Sequence, residues 1–187
     1  MILGIIPARG GSKRLPRKNI KDLAGKPMIA YTIAAARESA MLGRFLVSTE
    51  DPEIAEVAER YGAEVIDRPP DLADDKSSVY DEILRIMSEI PCEWVVLLQP
   101  TSPLRNGEDI DNAINLCRAN AAPSCVSCEY GIPVPNGAVY VAYASWLREH
   151  RNFDGPRTVA YQMPSYRSVD VDTMADFERA EGLLKRA

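Results

Sequence analysis

Residues 94–98, WVVLL, are apolar at every position. A strand with one wet face would alternate, so this one is buried on both sides, and its sheet needs helices above and below. The rest of the chain supplies them. Residues 2–6 form another buried strand, and 28–40 an alanine-rich helix started by Pro27. A strand over 45–48 is followed by a helix over 52–61, with Pro52 in its first turn and Gly62 as its stop. After a strand at 63–66, residues 77–90 place Val79, Ile83, Ile86, Met87 and Ile90 at helical spacing. A helix over 109–119 and strands over 125–128, 138–142 and 158–161 come next. Residues 168–171 then lead into a last helix at 174–185. Strand and helix take turns with short links. The order predicts an α/β fold, a mostly parallel sheet with helices on both faces, in a single domain spanning 1–187.

Charge narrows the function classes. The chain carries a net charge of −5, which argues against nucleic acid as a partner. No apolar run reaches the roughly 18 residues that span a bilayer. Residues 2–6 are too short for a signal-peptide core and lack a basic segment before them, so a cytoplasmic protein without membrane partners is expected. Up to Lys26, however, there are seven cations and a single acid, Asp22. Five of them, Arg9, Lys13, Arg14, Arg17 and Lys18, crowd into ten residues directly behind the first strand. So local an asymmetry fits a small anionic ligand better than a long polyanion. Cys125 and Cys128 form a C-x-x-C, but the chain has one histidine, His150, and no second cysteine pair at ligand spacing. In a regular strand the two thiols point to opposite faces, as reduced core residues do.

In parallel α/β sheets ligands bind beyond the carboxyl ends of the strands. The segments to search are therefore 7–19, 49–51, 67–76, 99–105 and 170–172. In the first, Gly10 and Gly11 let the backbone approach a ligand and leave N–H groups to point at it. Ser12 adds a hydroxyl, and Arg9, Lys13, Arg14 and Lys18 add charge: the donor set of a triphosphate cradle. It is neither a P-loop nor a G-x-G-x-x-G turn. In DRPPDLADDKSS, Asp71, Asp74 and Asp75 precede Lys76, with Ser77 as the expected helix cap; Arg68 with Ser77 and Ser78 could also contact a base or ribose. Gln99, at the end of a buried strand, is a polar fork on a stiff mount. Asp170 and Asp172 alternate with Val169 and Val171, so in a strand both carboxylates face one way, which suits Mg²⁺.

The blocks IIPARGGSKRLPRKNI, VSTEDPEIAEVAERYGAEVIDRPPDLADDKSSVYD, LLQPTSPLR, PNGAVYV and SVDVDT together resemble the acylneuraminate cytidylyltransferases, the CMP-sialic acid synthetases. They come in the family's order and cover most of the chain. The resemblance implies a Rossmann-like nucleotidyltransferase fold that couples CTP to a nonulosonic (sialic-type) acid, with Mg²⁺ and release of pyrophosphate. It places Arg9, Gly10, Gly11, Ser12, Lys18 and Asn19 on the nucleotide-phosphate loop and Arg68, Ser77 and Ser78 at the cytidine. Gln99 falls at the sugar acid, Asn136 beside that pocket, and Asp170 and Asp172 at the metal. Arg9, Lys18 and Asp172 are the implied catalytic groups. One departure is large. Between PSCVSCEY and PNGAVYV members usually carry a few dozen further residues that build the dimer and complete the partner's sugar pocket; here only GIPV remains. The alternatives are transfer to a smaller acidic acceptor, use of another nucleotide, or a nucleotide-binding interaction module without turnover.

Overall fold

The computed structural model describes residues 1–12, 14–73 and 77–186. Lys13, Asp74, Asp75 and Lys76, singled out in the sequence, lie outside the described residues. Four strands, β1 (Ile2–Pro7), β4 (Arg44–Thr49), β5 (Glu64–Asp67) and β6 (Trp94–Leu97), join β7 (Ser124–Glu129), β8 (Pro135–Tyr143) and β9 (Val159–Met163) in one sheet of order β5-β4-β1-β6-β8-β7-β9. β8 alone runs against the rest: it is antiparallel to β6 and β7, while every other pairing is parallel. A two-stranded ribbon, β2 (Asp22–Leu23) and β3 (Lys26–Pro27), precedes the first helix.

Helices α1 (Met28–Glu38), α2 (Pro52–Arg60) and α4 (Gly107–Ala119) cover one face, and α3 (Val79–Glu89) and α5 (Ala144–His150) the other. Strand alternation feeds both layers. Along β1, Ile2 and Ile6 enter the first core, and Leu3 and Ile5 the second. Trp94, Val96 and Leu98 divide from Val95 and Leu97 in the same way, as a run without polar positions requires. Cys125 and Cys128 fall in opposite layers as expected, and both are free thiols. Burial pushes Cys125 up to about 12, which leaves it an inert core residue. No helix among the described residues is long and apolar enough to cross a membrane.

A third, smaller core positions the site. Leu15, from the loop behind β1, packs with Leu23, Met28, Val169, Val171 and Phe177, the last from α6 (Met174–Leu184). The segment over 168–171 that leads into the last helix pairs with no strand among the described residues; instead the Val171 N–H donates to the Thr101 carbonyl at 2.7 Å. The alternation survives because its cause is burial. Val169 and Val171 are sunk into this core, so Asp170 and Asp172 project from the other side.

Candidate active site

The connection from β1 runs to β4 and the connection from β6 runs the other way, to β7, which opens a crevice at the carboxyl ends of β1 and β6. A cleft of about 420 Å³ occupies it. Its walls bring together Arg9, Ser12, Lys18, Asn19, Arg68, Ser77, Gln99, Asp170 and Asp172, nine residues from five separate stretches of chain. Because β8 is antiparallel, its start reaches the same end of the sheet as the finish of β6. A Cβ on Gly137 would lie 2.9 Å from Gln99 Oε1 and 3.6 Å from the Asp170 carboxyl. Gly137 also has φ +83°, so both its backbone and its neighbours require glycine there.

Lys18 ties the basic loop to the aspartates. Its ammonium donates to the Val171 carbonyl at 2.8 Å and to Asp172 Oδ1 at 3.0 Å, with the side chain 12% exposed. Arg14 reaches the other oxygen of Asp172 at 3.2 Å from the surface. Asn19 is buried and donates to the Arg9 carbonyl at 2.9 Å, holding the two ends of the loop together. Asp170 opens into the cleft, yet the surrounding walls thin its hydration. That desolvation, helped by the charge of Asp172, raises its carboxyl above the ordinary aspartate range against the Thr101 hydroxyl and the charge of Lys18.

Not every described residue of the loop faces the cleft, which spreads its cations over different partners. Arg17, in the left-handed region at φ 56°, turns away and pairs with Asp51 at 2.5 Å and with Glu53. The Gly10 N–H is not left for a ligand: it donates to Glu50 Oε1 at 2.7 Å. Gly10 is needed for another reason, since a Cβ there would meet Asp51 Oδ2 at 2.3 Å. Gly11 is exposed and outside the cleft wall. Ser78, not Ser77, caps α3 by accepting from the Tyr80 N–H at 3.2 Å, while Ser77 donates to the Asp71 carbonyl at 2.7 Å and lines the cleft. Arg68 is buried with Nε on the Leu72 carbonyl at 2.9 Å.

Asn136 is a brace, outside the cleft wall. Its Oδ1 accepts from Ser127 at 2.6 Å and from the Ala138 N–H at 3.1 Å, and its Nδ2 donates to Ser168 Oγ at 3.0 Å. Those bonds fasten the start of β8 to β7 and to the segment before Asp170. Sequence reasoning missed Glu50, Thr101, Gly137 and Tyr140. Tyr140 is pushed up to about 12, first by burial and then by the charge of Asp170.

Asp51 anchors the loop from outside the cleft. It caps α2 by accepting from the Glu53 and Ile54 N–H groups, at 3.0 and 3.1 Å, while it holds Arg17. Burial alone would raise its carboxyl, but Arg17 and the helix N–H groups together hold it below its ordinary value of 3.8. A lowered folded value contributes stability above the ordinary aspartate range, and that stability is lost as pH falls through the lowered value. Asp51→Ala is therefore expected to cost about 1–2 kcal/mol at pH 7, the worth of a helix cap. The difference from wild type should shrink in denaturant titrations carried out near pH 3; a penalty that stayed constant with pH would contradict the ionic anchor.

A cytidylyltransferase family profile matches residues 3–137. The chain is 35% identical to the CMP-N,N'-diacetyllegionaminic acid synthase of Legionella pneumophila, with 98% of this chain and 96% of that protein covered. It is 34% identical to the pseudaminic acid cytidylyltransferase of Campylobacter jejuni, again with 98% and 96% covered. Against the N-acylneuraminate cytidylyltransferase of Escherichia coli identity is 33%, covering 96% of this chain and 51% of that protein, about half its length. Among solved structures, the CMP:2-keto-3-deoxy-manno-octonic acid synthetase complexed with CTP superposes with a TM-score of 0.82 over 99% of this chain and 98% of that one. At 19% identity that likeness bears on the fold alone. The alignment with the Legionella protein runs over 223 positions against 187 residues here, so that relative carries residues this chain lacks. A basic glycine loop, a strand-end glutamine and paired aspartates share one crevice, and the chain belongs to the cytidylyltransferase family.

Proposed function

We propose that the chain transfers CMP from CTP to a nonulosonic acid and releases pyrophosphate. The observation that carries this reading is the cleft itself, whose wall holds Arg9, Ser12 and Lys18 together with Gln99, Asp170 and Asp172. Arg9, Lys18 and the Ser12 hydroxyl would take the phosphate oxygens, and Arg68 with Ser77 would border the nucleoside. Gln99, a donor and acceptor on a rigid strand end, would read the acceptor's hydroxyl or amide groups. Relatives that act on legionaminic, pseudaminic and acylneuraminic acids support an acceptor of that class.

The anomeric hydroxyl of the acid attacks the α-phosphorus in line and gives its proton to solvent, while the bond from the α-phosphorus to the bridging oxygen breaks and pyrophosphate leaves toward the basic loop. Positioning and fixed charge supply most of the acceleration in such transfers. Lys18 is held at two points before substrate arrives, so its charge needs no reorganisation as negative charge builds on the phosphate. The donor set also fits Mg²⁺. Asp170 and Asp172 place hard carboxylate oxygens on the cleft wall, and an ion there would share Asp172 with Lys18 and Arg14. These two aspartates would hold the ion, and when bound it would neutralise triphosphate charge.

A specific observation keeps a smaller acidic acceptor in view. The link from β7 to β8 spans only residues 130–134, where the family's sugar-pocket excursion would stand. It exposes Tyr130, Ile132 and Val134, and a homo-oligomer would have to assemble without the longer segment. Donor choice is tested by calorimetry with Mg²⁺ present: CTP should bind at least tenfold more tightly than UTP or ATP. Equal affinities would leave the phosphate cradle in place but remove the cytidine assignment.

A further inference from the structure

A second cleft, of about 620 Å³, lies on the far side of the LLQPTSPLR motif, between α1, the turn at 103–106, the turn at 165–167 and the end of α6. Its apolar wall includes Tyr31, Leu183 and Leu184, and its charged lining is four cations, Lys26, Arg105, Arg167 and Arg186, against the single acid Glu38. On a chain of net charge −5 this is a marked local excess.

The buried part of that charge is unbalanced. Among the described residues the carboxylate whose charge acts on Arg105 is Asp109, fully buried, and its oxygens are already taken. Oδ1 accepts from the Tyr161 hydroxyl at 3.0 Å and from Arg167 Nη2 at 3.0 Å. Oδ2 accepts from the Asn106 N–H at 3.1 Å and lies 3.0 Å from Arg167 Nε. Two guanidinium groups thus depend on one saturated carboxylate. Arg105, 3% exposed, reaches only the carbonyls of Ala138 at 2.7 Å and Gln99 at 3.3 Å, both through Nη1. Among the described residues its Nε and Nη2 have no hydrogen-bond partner. Desolvation accordingly lowers its pKa to about 9, unusual for a guanidinium. A buried charge in this position calls for an anion nearby.

We propose that the second cleft is a binding site for an organic anion, its carboxylate or phosphate head at Lys26, Arg186 and the wall over Arg105, and its apolar body on Tyr31, Leu183 and Leu184. Nε and Nη2 of Arg105 are sealed from solvent, so the anion meets that charge across a low-dielectric wall, where attraction at a few ångströms exceeds its value in water several-fold. The site is separate from the cleft proposed for CTP: the two walls share no residue. Arg105 nevertheless holds the main chain of Gln99, so occupancy of one side touches the mount of the other.

The test is an NMR titration of the uniformly ¹⁵N-labelled chain with 4-phenylbutyrate, with its uncharged amide, and with inorganic phosphate. A saturating CTP background keeps the first cleft filled. Phenylbutyrate should shift the amides of Leu104, Asn106 and Arg167 saturably, and the neutral amide should bind at least tenfold more weakly. Phosphate alone should shift the same amides with lower affinity, because it lacks the apolar body. The pair Lys26→Gln and Arg186→Gln, both on exposed residues, should weaken phenylbutyrate about fivefold or more while the spectrum otherwise stays native. Equal binding of the amide would reduce the cleft to an apolar groove and overturn the proposal. So would shifts confined to the first cleft, no saturation, or full affinity in the double variant. Failure of CTP to bind in the background would count against the nucleotide reading alone.

Discussion

Lys18→Ala is expected to lower kcat for CMP transfer by about 10²–10³-fold, the usual cost of removing one preorganised charge from a transition state. Lys18 has the position for so large an effect. It is the cation whose ammonium is fixed both by a carboxylate and by a main-chain carbonyl at the floor of the cleft, and its stem is nearly enclosed. The same substitution frees Asp172 from its tighter partner and leaves it only the exposed Arg14. Binding of CTP should fall less than turnover, because Arg9 and Ser12 still border the phosphates. Steady-state kinetics read the two effects separately: kcat falls steeply and KM for CTP rises modestly. A variant with normal kcat and only a raised KM would assign Lys18 to uniform binding.

Asp172→Asn is expected to remove Mg²⁺-dependent turnover by a similar factor, about 10²-fold or more, with the fold preserved. The side chain is 47% exposed, and ion pairs at such sites contribute at most about 1 kcal/mol to stability. Thermal unfolding should therefore stay close to wild type while activity disappears. Raising Mg²⁺ should recover part of the loss, since Asp170 would still offer one carboxylate. Full activity at ordinary Mg²⁺ would exclude Asp172 from the machinery; a collapsed melting transition would recast it as a structural partner of Lys18.

The layers of the fold were legible because burial wrote them directly. Continuous apolar strands alternating with amphipathic segments specify helices on both faces, and α1 to α4 follow within a few residues. The reversed strand β8 was not legible. Nothing in its composition distinguishes a strand reached by a five-residue link from one reached through a helix, and periodicity carries no direction. Helix α5 was missed because ASWLREH is too short to show a period. In the site, residue type was readable and orientation was not. Arg9 and Arg17 look alike in ARGGSKRLPRKN, yet one lines the cleft and the other is held by Asp51 thirty-four positions away. The aspartate alternation was legible without a strand: Val169 and Val171 need a core, and the packing of Leu15 against them leaves the carboxylates on the other side.

The most direct measurement is pyrophosphate release by the intact chain with Mg²⁺ and CTP, over a panel of sialic, legionaminic and pseudaminic acids and smaller sugar acids, with products identified by mass spectrometry. Release should require both CTP and one of the nonulosonic acids, and the product should be that acid's CMP conjugate. A folded, CTP-binding chain that released pyrophosphate with none of them would contradict the assignment, and a conjugate formed only with a smaller acid would move the acceptor to that class.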